Sequence, residues 1–479
     1  MSKTAAMLLY RQIIPTEGRV SESHASYVPN KSRPNRQLDF DLKEKVRNGN
    51  GFRDPAFSDN KIQPLHRWVP WIAGFSAQFV QDCFETFLKH RRKKPAPCVL
   101  DPFAGVGTTI VQAVLNGFNS IGFEINPYAA LACKAKLNSP KLDLENLETY
   151  LQKYRRVAMN GRRHVGTLRP AQFETRIPFF SVSVEEQVLS FLDFVESIPQ
   201  EEVADLFRVA FGSVMVSFSN YTYEPSLGSR PGAGKPLIDK ADVHSTILGK
   251  LSEIVSDIRW VKERVGNSPT IGKGQVHNLD FLEPAEVLPP SSCDLMVTSP
   301  PYMNNYHYVR NTRPQLFWLS LVSSRKDLRK LEESNFGKYW QTVRDSEPLS
   351  LNFDHPELSR TLTKLRRTRE EKGPYGGPGW ANYVASYFND CHRFCKALKR
   401  GLARGGVGVI VIGNSIIQGH EMKTDLILAD IARQSGLALV AVQKIRTKRV
   451  GASITASTVR RGDISKATLY ESAVILRKK

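Results

Sequence analysis

The run Asp101-Pro102-Phe103-Ala104-Gly105-Val106-Gly107-Thr108-Thr109 constrains this chain more than any other. Before it stands Pro97-Cys98-Val99-Leu100, a short apolar run that reads as a buried parallel strand. After it, Ile110, Val111, Val114 and Leu115 recur at helical spacing over 108–118. Strand, glycine loop and helix in this order make a nucleotide-binding corner of a doubly wound α/β sheet. Gly105 and Gly107 let the backbone approach a ligand with no Cβ in the way. The next strand, Ser120-Ile121-Gly122-Phe123, ends in Glu124, an acid able to accept from both hydroxyls of a ribose. Ile110 occupies the third-glycine position of the dinucleotide fingerprint, which argues against a nicotinamide cofactor.

A second run, Thr298-Ser299-Pro300-Pro301-Tyr302, follows the apolar strand Cys293-Asp294-Leu295-Met296-Val297. Two consecutive prolines fix φ and remove two backbone donors, leaving a rigid loop rich in acceptors. Such a loop suits an amino nitrogen whose lone pair is delocalised into a ring. Carbonyls aimed at its N–H bonds stabilise the positive charge that grows as it attacks an electrophilic methyl. Tyr302 offers a flat face to a base swung out of a duplex.

In this order the two runs resemble the amino-directed DNA methyltransferases, and most closely their N4-cytosine branch. The resemblance implies S-adenosylmethionine as cofactor, with Asp101, Phe103, Gly105, Gly107, Thr108 and Glu124 around it, Asp101 reaching the amino acid moiety. It implies that the carbonyls of Ser299 and Pro300 accept from the target nitrogen, that Pro301 stiffens the loop, and that Tyr302 stacks on the base. Val106 departs from the family's usual serine in the glycine loop. Adenine-directed members usually carry Asp or Asn where this chain has Ser299. The Pro-Cys-Gln run of C5-cytosine enzymes is absent, and transfer to an amino nitrogen needs no cysteine nucleophile.

Further segments resemble the family. Gly274 to Leu279 is similar to its third strand, and Asp280 then stands where an acid accepts from the cofactor adenine. His66 to Ser76 is similar to the segment that closes over the methionine end, which brings in Phe75 and Ser76. Gly405 to Ile412 reads as a later central strand; Leu439–Val442 and Ser472–Leu476 read as a terminal hairpin. The resemblance touches 65–136 and 270–479 and implies a Rossmann-like class I methyltransferase sheet. That sheet is mostly parallel with a terminal antiparallel hairpin, and here it carries a helical insertion.

The chain has 67 basic and 47 acidic residues, a net charge of +20. That balance favours a polyanion, and with a base-modifying site it points to double-stranded DNA. Basic clusters occur at 89–94, at Arg162-Arg163-His164 and at 444–449, where Arg446 and Lys448 are candidate DNA contacts. Six scattered cysteines without a CxxC pair give no zinc site, so no metal is expected. Reduced thiols, no apolar signal-peptide core and no membrane-length run point to a cytoplasmic, nucleoid-associated prokaryotic protein without membrane partners.

The expected organisation is an N-terminal extension (1–60), three core parts (61–139, 269–302, 381–479), a helical insertion (140–268) and a second insertion (303–380). Helices are expected over Val184–Ile198, Glu201–Ser219, Ala241–Val265 and from near Tyr383. The stretch 221–236, with Arg230 and Lys235, is either a DNA contact or a helix connector. Its Gly-Lys is no phosphate loop, because Pro236 replaces the magnesium-holding hydroxyl. The core loops address cofactor and base, so target recognition is expected in the insertions. The expected activity is N4 methylation of a flipped cytosine in a specific duplex sequence, as the modification enzyme of a restriction system beside a separate cognate endonuclease. The alternatives are N6-adenine methylation, RNA base methylation and a catalytically silent DNA-binding subunit.

Overall fold

The computed structural model describes residues 51–71, 74, 76–89, 96–160, 166–223, 226–266, 271–283, 287–303, 307–448 and 468–479. In chain order the described strands are β1 (Cys98–Asp101), β2 (Asn119–Phe123), β3 (Tyr221–Tyr223), β4 (Leu227–Ser229), β5 (Gly274–His277) and β6 (Cys293–Thr298). They continue with β7 (Leu402–Gly413), β8 (Ser415–Ile417), β9 (His420–Met422), β10 (Ala438–Lys448) and β11 (Leu469–Arg477). Seven of them form one sheet in the order β10-β11-β7-β6-β1-β2-β5. Its centre is parallel from β5 to β7, and β11 runs antiparallel to both β7 and β10. This is the mostly parallel sheet with a terminal antiparallel hairpin that the sequence predicts.

Alternation along the strands builds two faces. Val99, Leu295, Val297, Val409 and Val411 pack with Phe79, Val80 and Phe84 of the helix Ala77–Phe87. Leu100, Met296, Ile410 and Ile412 face the opposite way, onto Phe388, Phe394 and Leu398 of the helix Gly377–Gly401. With helices on both faces, the central strands need be apolar throughout. The chain moves outward from β1 to β2 and β5, then returns to place β6 on the other side of β1. That reversal opens a crevice beyond the carboxyl ends of β1 and β6, where open α/β sheets bind their ligands. Asp101 ends one of those strands and Thr298 the other.

The helices Leu144–Asn160, Val182–Glu196, Glu201–Val214 and Val243–Gly266 share one core with the helix Pro127–Asn138. Gly212 makes one close approach possible, since a Cβ there would stand 2.4 Å from Tyr128 Cε2. Asp257, 1% exposed, ties this layer to the segment before the first helix. It accepts from Leu65 N at 2.9 Å and Trp68 Nε1 at 3.0 Å, and it pairs with Arg67.

Several boundaries differ from expectation. The helix from Glu201 stops at Val214 and continues as a 3-10 turn over Met215–Phe218. The 221–236 stretch begins with the small hairpin β3–β4. The helix expected near Tyr383 starts at Gly377, with Pro378 in its first turn, where a missing N–H costs nothing. The strand expected over 405–412 spans 402–413 because Leu402 already pairs with Cys293.

Candidate active site

Asp101 is fully buried, and its Oδ1 accepts from Phe103 N at 3.1 Å and from the Thr298 hydroxyl at 2.6 Å. One carboxylate oxygen thus ties the first residues of the glycine loop to the residue preceding Ser299. Thr109 turns its hydroxyl to Val297 O at 3.1 Å, and Asp101 Oδ2 is left without a partner among the described residues. Burial pushes the Asp101 carboxyl up to about 6, against the opposing Thr298 hydrogen bond. A buried oxygen without a donor is costly unless a ligand group supplies one.

The glycine loop curls back under β2. Ala104 N donates to Phe123 O at 2.8 Å and Gly105 N to Glu124 Oε2 at 2.8 Å. Glu124 Oε1 accepts from Asn126 N at 2.7 Å. Each carboxylate oxygen keeps a lone pair for a further donor. Burial pushes Glu124 up to about 7; the two amides oppose this, and the nearby Asp101 charge adds to it. Gly105 has φ +52, and a Cβ there would stand 3.1 Å from Trp71 Nε1. Trp71 stacks on Tyr308 with ring centroids 6.1 Å apart. Gly107 has φ +91, and a Cβ there would meet Cys133 Sγ at 2.6 Å. Below the loop, buried Lys136 donates to Val106 O at 2.9 Å, and burial lowers its pKa to about 7.

Between this loop and the Ser299 loop lies a cleft. Phe103, Gly105, Thr108, Glu124, Asp280, Ser299 and Pro301 belong to its wall. Asp101, Gly107 and Ser76 are not among the residues lining it. Asp101 bridges the two loops, and Gly107 gives room to the helix Pro127–Asn138. Ser76 caps the helix Ala77–Phe87 by accepting from Gln78 N at 3.1 Å. Trp71 and Gly74 line the cleft from that segment instead; Phe75 lies outside the described residues. Asp280 follows β5, its Oδ1 accepting from Leu282 N at 2.9 Å, and burial raises its carboxyl. Sequence reasoning missed Asn126, Tyr308, Val309, Asn335 and Phe336 in this wall. The last four come from the insertion after Tyr302, where no periodicity marks them. Asn126 carried a signal: Asn followed by Pro127 is a helix start, and its side chain accepts from Tyr128 N and Ala129 N.

The Ser299 loop is held by its neighbours. Tyr387 donates its hydroxyl to Pro301 O at 2.9 Å, and Ser415 donates to Met303 O at 2.8 Å. Pro300 is buried, and Tyr302 packs its ring against Gly413. The candidate DNA contacts lie elsewhere. Arg230 Nε donates to Pro236 O at 2.7 Å, closing its own loop around the half-buried Lys235. Arg446 faces Glu471 and Asp54, each at 3.9 Å. The side chain of Lys448 and the clusters at 90–94 and 162–164 lie outside the described residues. Among the described residues no three His, Cys, Asp or Glu side chains gather to hold a metal ion. No described helix is long and apolar enough to cross a membrane.

The sheet order and a glycine-loop cleft at its switch point define a Rossmann-like, S-adenosylmethionine-dependent methyltransferase. The residues fit that cofactor: Glu124 offers lone pairs to ribose hydroxyls, Asp280 an acceptor, and Phe103 an apolar wall. The N6/N4 methyltransferase family model, described as DNA methylase, matches residues 29–134. The Type II methyltransferase M.BsoBI of Geobacillus stearothermophilus is 24% identical over 83% of this chain and 83% of its own. M.AvaI of Anabaena variabilis is 24% identical over 92% of each. M.MjaII of Methanocaldococcus jannaschii is 32% identical over 24% of this chain and 22% of its own. Among solved structures, the rRNA methyltransferase aviRa of Streptomyces viridochromogenes covers 88% of this chain and 92% of its own. Its identity is 9% and its TM-score 0.32. Over residues 29–134 the chain thus resembles the amino-directed DNA methyltransferases, and over most of its length it is similar to Type II methyltransferases.

Proposed function

We propose that this DNA methyltransferase modifies the N4 amino group of a cytosine flipped out of a specific duplex sequence, as the modification enzyme of a Type II restriction system. One observation carries the reading. Ser299 and Pro301 of the acceptor-rich turn line the cofactor cleft, and the turn is tied to the glycine loop through Thr298 and Asp101. S-adenosylmethionine, when bound, supplies an electrophilic methyl group. The carbonyls of Ser299 and Pro300 hold the two N–H bonds of the target amino group and stabilise the charge developing there. Tyr302 covers the face of the flipped base. Asp280 accepts from the cofactor adenine, and Glu124 accepts from its ribose. Ser299 stands where an acid or amide is usual in adenine-directed relatives, which supports cytosine. The relatives' names supply the restriction context. Recognition of flanking pairs falls to the insertions, with Arg230, Lys235, Arg446, Lys448 and the basic residues of 364–372 as candidate contacts.

Nucleoside mass spectrometry of DNA methylated by the pure protein tests this directly. N4-methylcytosine is expected. N6-methyladenine would move the reading to the other branch, and 5-methylcytosine would overturn the mechanism. Duplex affinity is expected to fall steeply with salt as bound phosphates release counterions; a flat dependence would remove DNA as the substrate.

A further inference from the structure

The tyrosine of the catalytic loop is seated on the last strands of the sheet. A Cβ built on Gly413 would stand 3.2 Å from both Cδ2 and Cε2 of Tyr302, so the ring lies directly over a glycine at the end of β7. Gly413 pairs across the ladder with Glu471 of β11, and Glu471 pairs with Arg446 of β10. Glu471 is 7% exposed. Glu471 is the acidic neighbour of the Tyr302 hydroxyl, and Ser299 Oγ donates to that hydroxyl at 3.4 Å. Burial, with the Glu471 charge, pushes the phenol well above its ordinary range, so the hydroxyl stays a donor at any working pH. The carboxyl oxygens of Glu471 have acceptor lone pairs for such a donor. Arg446 lies between two carboxylates, its Nη1 3.9 Å from Glu471 Oε2 and its Nε 3.9 Å from Asp54 Oδ1. One of the side chains read from sequence as a DNA contact is therefore a counter-ion of Glu471.

We propose that Glu471 is a positioning residue for Tyr302: by accepting the phenol hydroxyl it fixes the ring against Gly413 and sets the face that covers the target base. The inference rests on the reading of Tyr302 as the base-stacking residue. It makes the terminal hairpin part of the catalytic apparatus, although that hairpin forms no part of the cofactor cleft wall. It also accounts for the glycine that ends the β-branched run from Val409 to Ile412.

The test is a double-mutant cycle on duplex methylation, with cofactor affinity measured separately by calorimetry. Glu471→Ala is expected to lower kcat about tenfold, the effect of one hydrogen bond to a charged group, and to leave cofactor affinity unchanged. Glu471→Gln retains an acceptor and should recover most of the loss. In a Tyr302→Phe background, Glu471→Ala should cost nothing more, because the bond is already gone. An equal further loss there would overturn the proposal, as would native kcat in Glu471→Ala alongside an impaired Tyr302→Ala. Native kcat in Tyr302→Ala would instead break the reading of Tyr302 itself. If Glu471→Ala does not fold, Gly413→Ala carries the test by pushing on the ring from below. It should lower kcat in the native background and not in Tyr302→Ala; a loss in both would overturn the proposal.

Discussion

The glycine loop and the catalytic loop leave adjacent strands at the same crevice, yet they are held in opposite ways. The glycine loop is fixed by residues close to it in sequence. Phe103 N finds Asp101 two residues back, Gly107 N finds Ala104 O, and Gly105 N finds Glu124 nineteen residues on. Among the partners of the loop's backbone groups over 103–107, the farthest, Lys136, is thirty residues from Val106; only the flanking side chains of Asp101 and Thr109 reach further, to Thr298 and Val297. The catalytic loop is fixed from afar. Thr298 reaches Asp101 across 197 residues, Met303 is held by Ser415 across 112, and Pro301 by Tyr387 across 86. The difference follows from the residues. A glycine turn keeps its N–H groups and spends them locally. Two consecutive prolines have none to spend, so the loop offers carbonyls that other elements must hold. The glycine loop is held as a local structure; the Ser299 loop is held as a tertiary one.

The sharpest way to break this contrast is to separate binding from turnover. Glu124→Ala is expected to weaken S-adenosylmethionine by roughly 1.5–3 kcal/mol, the scale of charged hydrogen bonds, and to leave kcat at saturating cofactor little changed. Calorimetry with unchanged affinity would remove the glycine loop from cofactor binding. Tyr302→Ala should do the reverse, costing about 1–3 kcal/mol of stacking on the base with cofactor affinity intact. Single-turnover methylation reads that loss, and a change in cofactor affinity instead would merge the two loops into one unit.

A pH titration sharpens the binding half. Glu124 lies at about 7, above its ordinary value, and ribose hydroxyls bind its ionised form best. Affinity should therefore fall as pH drops through about 7, by up to about tenfold between pH 8 and pH 6. Asp101, at about 6, titrates below most of that window. Glu124→Gln should flatten the profile, and a native profile already flat would show that the carboxylate does not hold the ribose. The smallest effect expected is that of Tyr387→Phe. Losing one donor to Pro301 O costs about 0.5–1.5 kcal/mol, read as a several-fold fall in kcat with unchanged cofactor affinity. A drop in affinity of equal size would mean that Tyr387 supports the whole cleft.

Much of this fold is legible in the residues because its signals are local. Apolar strands ending in Asp101, Glu124 and Thr298, the glycine pair, and helix-spaced runs over 184–198 and 241–265 each depend on neighbours a few positions away. Some of these residues also have structural partners that no local signal shows. Gly107 relieves Cys133 and Ser76 caps a helix, while Arg446, still a candidate DNA contact, pairs with Glu471. Each residue type suits several tasks, and only its surroundings select one.

The sequence by itself determined the doubly wound sheet, the cofactor corner and the acceptor-rich turn, because propensity, periodicity and proline chemistry act within a short stretch of chain. Only the tertiary structure decided how that turn is aimed. Asp101, Tyr387, Ser415 and Glu471 converge on it from four separate elements. No spacing in the chain records that convergence, because hydrogen bonds between distant segments exist only once the sheet has brought them together.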